Sequence, residues 1–585
     1  MNTMSKALGI SLCVLLLWFI YYFCMPVMAY GFIGVPISLI LLGIVIAYFI
    51  SKTIGITIST IGAFILIVLA FFTTWSAFHA DEYHQLIGEV KVSTFTQDIA
   101  PVDISHIRYV DQGVASRLGE KRLGENPALG SRASLGNFSI QKINGELYWV
   151  APVEHSGFWK WKKFSNTPGY VKVSATNPRD IEYITEVSGE KINLRYQTGA
   201  YFSDNLERHL YMNGYMSLGL DDFSFEVRDD GVPFWVVTVY EKTIGYSGNN
   251  ALGIVTVNPM NGEISKLYTP EEAPGWIDRI QPDSFVTTQL NDWGSYVNGW
   301  LNQTIFGAKE GILKATEGIS LVFGKDGKSY WYTGISSIGK DGSTVGFVLV
   351  DTRSKKTHWY KQAGATEVQA QGSAKGKVQE KGYIASFPVL YNISGVPTYV
   401  MALKDNAGLI KMIAMVSVED YGIVGVGNSM RDALRSYRSE LSSKGNAIVP
   451  DGAVERFKIS GQVQRIASDI RNGETFYYMM IDNVDDKLFV ASSTLSNELP
   501  ITKLSDIIQL EFMDAGGGTI DLSSFDNLNI NLSVTQEQSE VTERFNNVQN
   551  RKVIIKDAQQ ADSQWDDLSS DEKAEMLKLM KQGNK

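Results

Sequence analysis

From Ala7 to Phe78 the chain carries a single charged side chain, Lys52. No water-soluble core needs so long an uncharged run. A bilayer does: its hydrocarbon layer, about 30 Å thick, takes roughly 20 apolar residues per helical pass. The run divides into Leu8 to Met28, Val35 to Ile50 and Ile56 to Ser76, which predicts a three-pass α-helical transmembrane anchor over residues 1–80. With three passes, Lys6 and Lys52 lie on one side of the bilayer. The exit at Asp81 and Glu82 is acidic. The positive-inside bias then makes this an integral protein of the cytoplasmic membrane with its large C-terminal body outside.

Removing the anchor leaves about 500 residues, enough for several cores. Almost all of the formal charge of −10 lies in that part. An acidic body is soluble and repels phosphate backbones, which argues against nucleic acid as a partner. Both cysteines, Cys13 and Cys24, fall in the apolar run, so the body has neither a disulfide nor a thiolate metal site. No two of the six histidines share the i, i+4 spacing of a helical zinc pair. A nucleophile elbow, a phosphate-binding glycine loop and an EF-hand loop are all missing from the sequence. No catalytic, cofactor-binding or metal residues are therefore assigned, and no cofactor is expected.

Beyond Gly136 short strands rich in aromatic and β-branched residues take over, and a repeat emerges. Aromatic strands at Glu146, Val232, Ser329 and Val396 are each followed by a second apolar strand, beginning at Pro168, Leu252, Val345 and Leu409. Asn261-Gly262 suits a tight turn. Helices are predicted over Asp204 to Met212, capped by Ser203, and over Met430 to Leu441, capped by Asn428 or Ser429. These features predict α+β repeat modules, with a first region at 81–222 and further units at 223–445. The phrase Gly253-Ile-Val-Thr-Val-Asn-Pro-Met-Asn-Gly-Glu-Ile resembles the small strand-and-helix PepSY modules of exported bacterial proteins. Residues Asp103 to Tyr437, with Thr167-Pro-Gly-Tyr-Val-Lys-Val and Pro397-Thr-Tyr-Val-Met-Ala-Leu-Lys-Asp, resemble a family of bacterial membrane-anchored proteins. That resemblance implies an envelope location and supplies no activity.

Paired aromatics recur at Tyr148-Trp149, Phe234-Trp235 and Tyr330-Trp331. Strand neighbours point to opposite faces, so one of each pair is expected in the core and the other outside. Trp149, Trp235 and Trp331 are the candidate partner surface, since aromatics are enriched at interface hot spots.

A Ser/Lys/Gly linker, Ser442 to Gly452, precedes an all-β region at 453–530. Five strands are predicted there, the first holding a central glycine, Gly461, at a position suited to a sharp bend. Their order and the long gap between the third and fourth resemble an OB-like barrel. On it Tyr477, Tyr478, Phe489 and Arg465 are the candidate ligand contacts, by stacking and charge. Residues 531–585 form a polar tail with a short predicted helix, Asp571 to Lys581. The sequence is thus best read as a non-catalytic envelope scaffold or modulator that acts by protein–protein contacts. Two alternatives are a PepSY-like regulator of an extracytoplasmic peptidase and an OB-mediated binder of oligosaccharide or single-stranded nucleic acid.

Overall fold

The computed structural model describes residues 3–93, 106–444 and 456–530, apart from short gaps at 305–306, 324–326, 338–342, 394, 472–473, 483, 485–486 and 514–518. The polar tail with its predicted helix, and the linker from residue 445 onward, lie outside the described residues.

The N-terminal run forms helices α1 (Thr3–Cys24), α2 (Gly34–Phe49) and α3 (Lys52–Phe72). The expected three-pass anchor is corrected: among the described residues one helix, α3, is long and apolar enough to cross a membrane. The sixteen residues of α2 reach about 24 Å at 1.5 Å each, short of the hydrocarbon layer. Many side chains of α1 are not among those described. Part of the uncharged run serves helix packing instead. A Cβ on Gly55 would lie 2.1 Å from the Ala47 backbone, and Ser59 Oγ donates to the Ile40 carbonyl at 3.1 Å, so α2 and α3 meet backbone to backbone. A short helix, α4 (Ser76–Gln85), turns the chain onto the body.

The body is mostly β-sheet rather than a string of α+β modules. Four antiparallel meanders follow one another along the chain. The first is β1 (Ser139–Ile143), β2 (Glu146–His155), β3 (Tyr170–Ser174) and β4 (Ile181–Ile184). The second is β5 (Gly219–Val227), β6 (Pro233–Ile244) and β7 (Ser247–Val257), its outer edge bridged by Ile264 and Tyr268. The third is β8 (Ser320–Phe323), β9 (Ser329–Ser337), β10 (Gly346–Asp351) and β11 (Thr357–Tyr360). The fourth is β12 (Val389–Ile393), β13 (Val396–Lys404), β14 (Ile410–Ser417) and β15 (Val424–Gly427). Each repeated strand pair of the sequence is therefore one antiparallel neighbour pair. The division placed at 222/223 falls inside β5, because that strand opens the second meander.

A helix precedes each meander: α5 (Gln112–Gly124), α6 (Leu206–Leu210), α7 (Asp283–Ser295) and α8 (Glu367–Gly376). Asn205, not Ser203, caps α6, its side chain accepting from Arg208 N. Thr366 and Gln369 close a reciprocal capping box on α8.

The meanders pack in sequence. The first meets the second through an apolar cluster that includes Val150, Tyr170, Phe225 and Trp235. Residues 273–281 lie between the second and third, with Ile280 N donating to the Thr352 carbonyl and Thr238 Oγ1 to the Ile280 carbonyl. The third meets the fourth through Tyr332, Phe347, Tyr399 and Met401. Residues 108–124 fill the place between the fourth and first: Arg108 N donates to Tyr391, Val110 N to the Ala175 carbonyl, and Lys404 Nζ lies 2.5 Å from Asp111. Antiparallel sheets of three or four consecutive strands standing round a centre follow the plan of a propeller.

After α9 (Met430–Lys444), a closed barrel is built from β16 (Arg456–Arg471), β17 (Glu474–Ile481), β18 (Leu488–Ser492), β19 (Ile507–Met513) and β20 (Thr519–Asn527). Its order is β16-β17-β18-β20-β19, and β18 runs parallel to β20. The guanidinium of Arg435 on α9 lies over Phe476 of the barrel at 5.9 Å.

Candidate functional site

The centre of the ring is hollow, a cavity of about 850 Å³. The opening strand of every meander reaches its wall, through Ser139, Phe223, Leu321 and Val389 among others. A volume of that order matches a small-molecule site.

Trp149, Trp235 and Trp331 line this cavity. They are only 8, 3 and 6% exposed, so they form no exterior partner surface, which corrects the expectation. Their neighbours Tyr148, Phe234 and Tyr330 are half-buried, as alternation on a strand requires. An indole carries an N–H, and a buried N–H needs an acceptor. Each finds one in the segment leading to its own unit's helix: Trp149 Nε1 donates to Val110, Trp235 to Tyr196 and Trp331 to Gln281, all at 2.8 Å. In the fourth meander Tyr399 holds the corresponding place, and its hydroxyl donates to the Ala365 carbonyl at 3.2 Å. The repeated aromatic is thus a strut that fixes the inner wall.

Two arginines stand at matching places in this scheme. Arg108 lies two residues before Val110 and Arg279 two before Gln281, each next to a strut carbonyl. The Arg108 guanidinium lies 5.8 Å from the Trp149 ring centre, and that of Arg279 lies 6.0 Å from Trp331. Both line the cavity, and they come from the first and third units.

Arg279 is surrounded by acids. It donates to Ser224 Oγ at 2.7 Å and lies 3.8 Å from Glu226 Oε1. Asp222, Glu226, Asp283 and Asp278 raise its affinity for its proton, against burial. Burial lifts the Glu226 carboxyl to about 7 in spite of the neighbouring guanidinium. Asp221, on the cavity wall, is also raised, first by burial and then by Asp222 and Asp283.

Arg108 is 9% exposed, and its guanidinium has no hydrogen-bond or ion-pair partner among the described residues. Burial lowers its proton affinity, partly offset by Asp111. The Asp111 carboxylate is itself engaged by Lys404 and by the N–H of Val114, which it caps. Sequence reasoning missed both arginines because each lies outside the strands, in a linker with no motif. Their shared offset from a helix start was the available signal.

The barrel's candidate contacts do not share one face. Phe489 is fully buried and packs on Phe512, ring centres 5.3 Å apart, so it cannot stack a ligand. Tyr477 packs against the same core. Tyr478 pairs with Ala467 two residues along from Arg465, which places Tyr478 and exposed Arg465 on the outer face. Alternation splits Tyr477 from Tyr478, and closure of the sheet turns Phe489 inward. No group of three or more metal-capable side chains occurs among the described residues.

No family model matches the chain, and no curated protein matches it. Among solved structures, the chain is matched to the alpha-L-arabinofuranosidase Arb93A from Fusarium graminearum, solved with an iminosugar inhibitor, at 10% identity over 68% of this chain and 93% of that one. The TM-score of 0.14 is too low for that match to carry an argument.

Proposed function

We propose that this protein is a membrane-tethered binding module which holds its ligand in the ring cavity and acts through what it binds rather than by catalysis. One observation carries the reading: the buried Arg108, whose guanidinium has no hydrogen-bond or ion-pair partner among the described residues, lines a cavity whose wall carries three repeated tryptophan struts. A buried unpaired charge is costly, and a chain retains one where a ligand supplies the counter-charge. Lys52–Phe72 serves as the tether, with Lys52 at one end and Asp81 and Glu82 beyond the other, so the body is extracytoplasmic. The barrel, whose strand order and parallel β18–β20 pair match the OB plan, is an accessory contact module of this envelope scaffold.

The test uses full-length protein purified in detergent and small molecules released from it by denaturation, compared with an Asn137→Trp variant. Asn137 is exposed at the cavity wall, so an indole there plugs the site without disturbing the core. Wild type is expected to release a stoichiometric small molecule that the plugged variant lacks. Identical extracts from the two proteins would reject the cavity as the binding site.

A further inference from the structure

The cavity is electrically polarised, with a guanidinium on one part of its wall and carboxyl groups on another. At one pole stands Arg108, 9% exposed, stacked on Trp149 and without a hydrogen-bonding acid among the described residues. Its nearest carboxylate, Asp111, already has Lys404 at 2.5 Å and Val114 N at 2.9 Å. At the other pole Asp221, Asp222 and Asp283 line the wall. One cation, Arg279, is set among them, and it is shared with Glu226 and Asp278 behind. Lys142 and Arg353 also act on Asp278, so the side is left with the three wall carboxyl groups, Asp221, Asp222 and Asp283, against Arg279, and is short of positive charge even with Glu226 protonated. The guanidinium Nε of Arg279 is buried and unpaired as well.

A ligand carrying only an anion would satisfy Arg108 and be repelled by the acids. One carrying only a cation would do the reverse. Sugar hydroxyls would satisfy the acids and leave Arg108 short of a counter-charge. Guanidinium meets carboxylate in a two-bond fork, and ammonium offers three donors to clustered carboxylates. The apolar part of the wall, from Trp149, Phe138, Leu321 and Met401, suits a short side chain. We propose that the ring cavity binds a zwitterionic small molecule, an amino acid or short peptide, with its carboxylate on Arg108 and its ammonium among Asp221, Asp222 and Asp283. This inference rests on the reading of the cavity as the ligand site.

The experiment is calorimetric titration of detergent-solubilised full-length protein with a panel of free amino acids and dipeptides. Each binder is then repeated in its N-acetylated and C-amidated forms. At least one zwitterion is expected to bind, with each capped form weakened tenfold or more. Arg108→Gln should remove the preference for a free carboxylate while keeping that for a free amine, and Asp222→Asn should do the opposite. Because the buried charge of Arg108 is only partly offset, by Asp111, Arg108→Gln should also raise the melting temperature of the ligand-free protein, by about 2–4 °C. A fall in melting temperature would make Arg108 a structural residue and overturn the assignment. Equal binding of an N-acetylated form would reduce the site to an anion receptor. No binding across the panel, together with a released ligand that Asn137→Trp abolishes, would reject the zwitterion and leave the cavity site standing. No binding and no such ligand would reject both.

Discussion

The ring and the barrel solve closure in different ways. In the barrel five strands close on themselves, and the interior is only as wide as the side chains that fill it. Met479, Ile481, Phe489, Ile508 and Leu510 are at or near full burial there, and none brings a polar atom that needs a partner. In the ring each meander has its own apolar faces, packed against neighbours on either side, so its centre need not be filled. The centre can then hold Arg108, Arg279 and the acids. Recognition chemistry therefore collects between the sheets of this protein, and the tight barrel keeps only its outside for contacts.

The largest effect should come from removing one wall of each. Phe489→Ala leaves a void in a filled barrel, and Trp331→Ala removes a strut from the ring and strands the Gln281 carbonyl. Large aromatic truncations in cores cost about 3–5 kcal/mol. Both variants should lose that much by thermal unfolding of the solubilised full chain, whereas truncating the half-buried Tyr330 should cost far less. A loss below about 1 kcal/mol for Trp331→Ala would show a ring whose inner wall is not fixed, and the comparison with the barrel would fail.

A second difference lies in pH. The barrel's fully buried core cluster is apolar among the described residues, whereas the ring buries Glu226 with its carboxyl raised to about 7 from 4.5. The folded chain keeps that proton up to about pH 7, and the unfolded chain releases it above pH 4.5. Stability contributed by Glu226 should thus fall as pH rises between those values and level off above. A shift of that size corresponds to up to about 3 kcal/mol. Glu226→Gln should match wild type near pH 4.5 and exceed it at pH 8. A variant less stable at pH 8 would show that Arg279, 3.8 Å away, holds the carboxylate ionised.

Strand pairs were legible because alternation of aromatic and β-branched residues directly reports a half-buried sheet. Aromatic position, Trp149, Trp235 and Trp331, was legible too, but its role was not: a side chain's periodicity tells which face it takes, not whether that face meets solvent or another sheet. The barrel's five strands could be read in order, while Phe489 was misassigned because closure converts one face of every strand into interior. The uncharged N-terminal run gave composition but not span, since Gly43, Gly55 and Gly62 divert apolar surface into contact between α2 and α3. Arg108 and Arg279 share an offset from a helix start, but that offset alone does not join them in one site. They lie 171 positions apart in sequence, and only the ring brings both to one cavity.

The smallest expected effect tests whether the fourth unit is a true member of the ring. Tyr399 stands where the other units have tryptophan. Its partners across the sheet, Leu390 and Val416, match Ile140 and Val173 around Trp149, and Leu321 and Val350 around Trp331. Its hydroxyl makes two contacts, to the Ala365 carbonyl at 3.2 Å and to Tyr332 at 2.8 Å. Tyr399→Phe removes those and leaves ring volume unchanged, so the cost is that of the two ties alone, about 1 kcal/mol for each buried neutral hydrogen bond. Tyr332→Phe should cost a similar amount. In the double variant the two losses should add to less than their sum, because the shared hydroxyl contact is lost only once. Strict additivity would mean that the Tyr332–Tyr399 contact contributes nothing. A Tyr399→Phe chain as stable as wild type would reduce the carbonyl contact to a coincidence of packing, and the fourth meander would be held in the ring by apolar burial alone.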